Sequence, residues 1–262
     1  MLKILTIRQL LIAFATFSSH KSTFHKAKQG SSAAQCLLGD IFLYGRGEPQ
    51  NYDKALIWYK KAAAQGNAYG QNSLGWMYDQ GLGVSQNLIE AIKWYELAAS
   101  QDYANAQYNL GHIYAYGESK KQDYIEAFKW YKKAAEQGHV DAQYNLAHLY
   151  SNGQGTEQNH VEAAKWYLKA AEQGDVSGQG LLGTLYEEGL GVNQDFNEAV
   201  KWYLRASEQG DPTAQYNLSH MYAKGLGVTQ SYVRAHMWAS RAVEQGDLSA
   251  EPMRDFCALK MR

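Results

Sequence analysis

The chain has 262 residues, 45% apolar and 19% charged, a balance that excludes global disorder and fits one or two ordinary domains. Its formal net charge of −1 gives no electrostatic reason to expect a nucleic-acid partner. The two cysteines, Cys36 and Cys257, lie near opposite ends without CxxC or Cys/His metal spacing, and 24 glycines against three prolines leave helix breaking mainly to glycine.

Residues 1–20, "MLKILTIRQLLIAFATFSSH", place Lys3 and Arg8 ahead of an apolar stretch from Leu10 to Phe17, with Ala13-Phe14-Ala15 as a small-residue cleavage site. The segment reads as a secretory signal peptide, which predicts a periplasmic or secreted mature chain. Arg8 interrupts the run, and the alternative is an amphipathic N-terminal helix on a cytoplasmic chain. The stretch is too short and too charged to span a membrane, and no other segment comes close.

From residue 31 onward the sequence repeats every 36 residues. Trp58, Trp94, Trp130, Trp166, Trp202 and Trp238 keep the step, as do Leu38, Leu74, Leu110, Leu146, Leu182 and Leu218. So do Gly45, Gly81, Gly117, Gly153, Gly189 and Gly225. Each unit reads as two helices. In the first unit helix A covers about 33–43, with Leu38, Ile41 and Phe42 on one face, and Gly45 ends it in the left-handed conformation. Helix B covers about 52–65, and Asn51, Asn87, Asp123, Asn159, Asp195 and Ser231 are its successive N-caps. Glu90, Glu126, Glu162 and Glu198 stand three residues later and predict capping boxes in the four middle units; Lys54 and Arg234 replace them in the outer ones. Helix B stops at Gly66, Gly138, Gly174, Gly210 and Gly246, with Asp102 the exception. The next helix A follows Asp175, Asp211 or Asp247, and Pro212 takes a first helical position. Small residues at Ala55, Ala62, Ala63 and Gly39 and their counterparts let helix axes approach, and the Trp stripe is expected in the core. Lys60-Lys61 and Lys132-Lys133 are expected as solvated helix edges.

"AQYNLGHIYAYG" followed by "AFKWYKKAAEQG", with counterparts in every unit, resembles the Sel1-like repeat family, a relative of the tetratricopeptide repeats. The resemblance covers residues 31–250 and implies an all-α, right-handed superhelical solenoid of six 36-residue α-hairpins. It also implies a scaffold or adaptor for protein assembly without catalysis, in bacteria often in the envelope, in signalling or in host contact. Residues 21–30 then read as a degenerate N-terminal cap and residues 251–262 as a C-terminal capping helix, with Arg254 where Leu is expected and Asp255 where Gly is.

By analogy with tetratricopeptide repeats, helix A lines the concave face. One column there holds Cys36, Asn72, Tyr108, Tyr144, Gly180 and Tyr216; a second, four residues on, holds Asp40, Trp76, His112, His148, Thr184 and His220. A third holds Leu43, Asp79, Ala115, Ser151, Glu187 and Ala223. Trp76, Tyr108, His112, Tyr144, His148, Tyr216 and His220 are therefore the candidate groove residues. The competing account is that Tyr and His simply pack between neighbouring A helices. The histidines come from different repeats, with adjacent A helices about 10 Å apart, so no metal is expected. A Tyr-His pair copied down a solenoid is not a catalytic constellation. No HExxH, GxSxG, GxGxxG or GxxxxGK[ST] occurs, and Ser18-Ser19-His20-Lys21 matches SxxK without its companion motifs. The enzyme alternative is a penicillin-binding or β-lactamase-like hydrolase of the cysteine-rich Sel1-like type, which needs paired cysteines that this chain lacks. The expected protein is a monomer without cofactor that binds a protein or peptide.

Overall fold

The computed structural model describes residues 20–117 and 122–262, so the leader reading of residues 1–20 lies outside the described residues except for His20. The described secondary structure is all helical. Helix α1 covers 20–28. A and B helices then alternate as α2 (Ser32–Tyr44), α3 (Tyr52–Ala64), α4 (Ala68–Gln80), α5 (Leu88–Ala99), α6 (Ala104–Tyr116) and α7 (Tyr124–Glu136). They continue as α8 (Val140–Asn152), α9 (His160–Glu172), α10 (Val176–Glu188), α11 (Phe196–Glu208), α12 (Pro212–Lys224) and α13 (Tyr232–Glu244). A 3₁₀ turn over Leu248–Ala250 leads into α14 (Glu251–Lys260). The chain forms two compact units, Met1–Gln122 and Asp123–Arg262.

The ends of the first two repeat helices fall within one residue of expectation. Gly45, Gly81, Gly117, Gly153, Gly189 and Gly225 all take left-handed φ values between 65° and 71°. Every helix B N-cap side chain accepts from the N–H three residues on. The capping boxes are only half formed. The backbone N–H groups of Asn87, Asn159 and Asp195 already donate to the carbonyls of Tyr78, Tyr150 and Tyr186 in the preceding A helix, at 2.8–2.9 Å. Glu90, Glu126, Glu162 and Glu198 instead pair with Lys93, Lys129, Lys165 and Lys201 at 2.5–2.9 Å. Exposed pairs of this kind contribute little, because water and salt screen them.

The core column is tyrosine rather than tryptophan. Tyr59, Tyr95, Tyr131, Tyr167 and Tyr203 are 2% exposed or less. Trp202 and Trp238 are buried as expected, but Trp58, Trp94, Trp130 and Trp166 are only half-buried. The tyrosine ring fills the space above the small residue of helix A: a Cβ on Gly75 or Gly183 would meet the ring of Tyr95 or Tyr203 at 2.9 or 2.7 Å, and one on Gly39 would clash with Tyr59. Where the tyrosine is replaced by Ala239, the facing residue is Ser219. The tryptophan, one residue earlier, is rotated to the hairpin edge, where a cation three residues on covers its face. Lys61 lies 4.5 Å over Trp58, Lys133 4.5 Å over Trp130 and Lys169 3.8 Å over Trp166. Arg205 and Arg241 cover Trp202 and Trp238 at 4.5 and 4.8 Å. Lys61 and Lys133 are exposed, as expected for helix edges, and also cover a ring; each such contact is worth about 0.5–1 kcal/mol at an exposed site.

Three glutamine columns tie the hairpins together. Gln35, Gln71, Gln107, Gln143, Gln179 and Gln215 are buried, and each donates its Nε2 to the carbonyl eight residues earlier, at 3.0–3.5 Å. That carbonyl lies near the end of the preceding helix. The Oε1 atoms of Gln35, Gln71, Gln143 and Gln179 accept from Gln65, Gln101, Gln173 and Gln209, at 2.7–2.9 Å. A further column, Gln50, Gln86, Gln122, Gln158, Gln194 and Gln230, donates to the carbonyl seven residues back, near the end of each A helix, at 2.5–2.8 Å. Leaving an amide of the buried Gln35 column unpaired costs about 1–3 kcal/mol.

Asp102 is the one non-glycine residue with positive φ, at 57°, among the described residues. Its counterpart Gly66 has φ 78° and open space around it. Asp102→Gly should therefore raise stability by about 1 kcal/mol, read as a higher urea midpoint with unchanged m-value. Burial also pushes the phenols of Tyr59, Tyr95, Tyr167 and Tyr203 above the ordinary value, helped at Tyr59 by its bond to Asp40. A raised phenol pKa contributes stability that is complete below the unfolded value of about 10 and is lost as pH rises beyond it. The unfolding free energy should thus fall above about pH 10, by about 1.4 kcal/mol per pH unit for each such phenol, and the melting temperature with it. Tyrosinate absorbance should appear in the same transition as loss of helicity; smooth titration of these phenols in a fully helical chain would contradict the burial argument.

Candidate docking face

The helix A columns present aromatic rings that are neither core nor free surface. In the first unit, Trp76 is half-buried and lines a cleft of about 240 Å³ with Tyr44, Tyr69, Tyr103, Asn72 and Asn105. The Tyr69 and Tyr103 rings stand at 83° with centroids 6.5 Å apart. Tyr108 and His112 are half-buried, with centroids 6.3 Å apart, and His112 lies against Tyr116 at 4.4 Å.

In the second unit, Tyr144 is half-buried and meets Tyr167 edge to face at 5.8 Å. It also borders a cleft of about 200 Å³ with Gly180, Leu181, Thr184, Asp211 and Asn217. His148 is exposed and hydrogen-bonds Asn152. Tyr216 packs on Ala239, Ala242 and Ala250, which gives it a structural duty. His220 is half-buried, and burial, then Lys224, lower its pKa below the ordinary value. The expected set therefore divides: Trp76 and Tyr144 border clefts, Tyr108 and His112 form a ring pair, and Tyr216 supports the core.

Two hydroxyls of the buried tyrosine column reach helix A side chains. Tyr59 donates to Asp40 Oδ1 at 2.5 Å, and Tyr69 donates to the same oxygen at 2.6 Å. Tyr203 donates to Glu187 at 2.7 Å and reaches Thr184 at 3.1 Å. Sequence reasoning missed Tyr69 and Tyr103, although a signal exists. Tyr69 occupies a column otherwise filled by Ala33, Asn105, Asp141, Ser177 and Thr213. Tyr103 occupies the N-cap column, where Ser31, Asn67, His139, Asp175 and Asp211 use their side chains and Tyr103 does not. Both departures from the repeat converge on one cleft.

The Cys36 thiol donates to Asn67 and is pushed up to about 11, first by burial and then by the charge of Asp40, which makes it a poor nucleophile at neutral pH. Cys257 is likewise free and buried. Among the described residues no group of three His, Cys, Asp or Glu could hold a metal ion, and no helix is long and apolar enough to cross a membrane.

A family model described as the Sel1 repeat matches residues 32–67, 68–103, 104–139, 140–175, 176–211 and 212–247. No curated protein matches the sequence. The structure is similar to a protective antigen present in uropathogenic Escherichia coli strains, with 38% identity and a TM-score of 0.84 over 87% of this chain and 49% of that one. The chain thus spans about half the length of that protein. It is also similar to a Sel1 repeat protein from Oxalobacter formigenes, with 40% identity and a TM-score of 0.76 over 82% of this chain and 87% of that one. With six consecutive repeats matched, the chain belongs to the Sel1 repeat family, whose members are generally non-catalytic scaffolds that bind protein partners.

Proposed function

We propose that this protein is a non-catalytic scaffold that holds a segment of a partner protein along its helix A face. The observation that carries the reading is the half-buried aromatic and amide lining of a cleft in each unit, around Trp76 in the first and Tyr144 in the second. Such rings give a partner large contact area at low entropic cost, because packing already fixes one side of each ring. Tyr108 and His112 add contact surface in the first unit; in the second, His220 adds contact surface, His148 supplies an exposed hydrogen-bonding group, and Tyr216 packs on Ala239, Ala242 and Ala250. The hydrolase alternative requires a cysteine pair in each repeat, whereas Cys36 and Cys257 are isolated, free and buried.

The leader reading of residues 1–20 supports work outside the cytoplasm, and similarity to a protective antigen supports a setting of envelope or host contact. N-terminal sequencing of protein from its native host should then find a start near residues 16–20; an intact Met1 would place the chain in the cytoplasm instead.

Tyr108→Ala combined with Tyr144→Ala should weaken partner capture by about 30-fold or more, the effect of losing about 2 kcal/mol at a docking hot spot. Helicity should be retained. The check is affinity purification from the native compartment with both proteins, followed by titration of the captured partner. Capture that is indifferent to both substitutions would remove this face from the interaction.

A further inference from the structure

The two helix faces of the repeat differ in charge, and the difference identifies a ligand class. Lys224 is the one Lys or Arg in the six A helices, which also carry Asp40, Asp79, Asp141, Glu187 and Glu188. Lysine and arginine occur in every B helix, where several lie over the tryptophan rings. The aromatic faces of the B helices are thus largely supplied with the chain's own cations, whereas Tyr69, Trp76 and Tyr103 carry none among the described residues.

Resting on the docking reading above, we infer that the cleft in the first unit takes a basic side chain, arginine before lysine, from an extended segment of the partner. Tyr69 and Tyr103 form two walls at 83°, with Trp76 and Tyr44 as the other aromatic lining. Asp40 supplies the counter-charge. Its Oδ1 accepts from Tyr59 and Tyr69, which draws electron density toward those phenols, and its charge also reaches Tyr103. Asn72 and Asn105 add amide groups at the cleft for the segment's backbone. One ring of the set already shows the preference: the Arg46 guanidinium lies 4.8 Å over Tyr44. Asp40, bonded to Tyr59 and Tyr69 of the lining, offsets the charge of Arg46. A planar guanidinium stacks on aromatic faces while donating to a carboxylate, a combination that an ammonium meets less fully.

The test uses the whole chain and two capped nonapeptides identical except at the central residue, arginine in one and citrulline in the other. Citrulline keeps the shape and removes the charge. The Trp76 indole N–H resonance, assigned by its loss in Trp76→Phe, reports occupancy. The arginine peptide should shift it saturably, at least about 10-fold more tightly than the citrulline peptide, and more weakly as salt rises. Asp40→Asn, which still accepts from both tyrosines, should abolish that preference with helicity unchanged. Equal binding of the two peptides, or no Trp76 shift at millimolar arginine peptide, would overturn the inference. It would leave the docking face standing if Tyr108→Ala with Tyr144→Ala still weakened partner capture, and loss of both effects would remove the face as well.

Discussion

The structure depends on a buried amide bonded in two directions. A glutamine one turn before the helix A leucine has nowhere to place its polar atoms except toward backbone and another glutamine. Gln143 shows the arrangement: its Nε2 meets the carbonyl of Ala135, in the preceding B helix, and its Oε1 receives Gln173, at the end of the following one. Hydrophobic contact alone is non-directional and would let neighbouring hairpins slide or rotate. An amide that is costly to leave unpaired fixes both the distance and the rotation between one hairpin and the next.

Within a hairpin, register is set by volume. The Tyr95 ring lies where a Cβ on Gly75 would be, and the Tyr203 ring where one on Gly183 would be, and Tyr167 meets no residue larger than Ala147 there. Between hairpins it is set by backbone proximity. Gly191 sits against the carbonyl of His160 and Gly227 against that of Phe196, so the second glycine of the A–B loop is where one repeat rests on its predecessor. These contacts explain why the period tolerates no insertion. An extra residue would move the glycine off the backbone it touches and the glutamine off its carbonyl together. Stability in such a stack is nearly a sum over repeats and their interfaces.

Much of this was legible in the sequence because repetition acts as its own control. The period, both helices, the glycine termini and the N-caps can be read from columns, since six copies of one local problem reveal the shared solution. Three things were not legible. Glutamine appears polar and exposed by composition, and nothing local says that Gln35 or Gln179 is buried; the partner lies thirty residues away. The Glu at the third position of helix B matches a capping box, but the N–H it should reach belongs to a helix A carbonyl, a tertiary competitor that no local motif contains. The Trp column is more conspicuous than the Tyr column beside it, yet rotation by one residue decides which is core. Of the candidate groove residues, Trp76 and Tyr144 border clefts, whereas the Tyr216 ring rests on α13 and the turn before α14, a tertiary contact that its column does not announce.

The cleft around Trp76 in the first unit shows where individuality enters a repeat protein. Residues that keep the period hold hairpins together and are tied to that duty by their neighbours. Tyr69, Trp76 and Tyr103 break their columns, and Tyr103 gives up a capping bond worth about 1 kcal/mol that the other A helices receive from their cap side chains. Stacking alone does not account for that exchange, since Asn67 caps and packs at the equivalent position one repeat earlier. Three departures converge on one pocket beside Asp40, on the face nearly without lysine or arginine, and under the docking proposal they follow the logic of recognition: stability is given up locally where a ligand would be held.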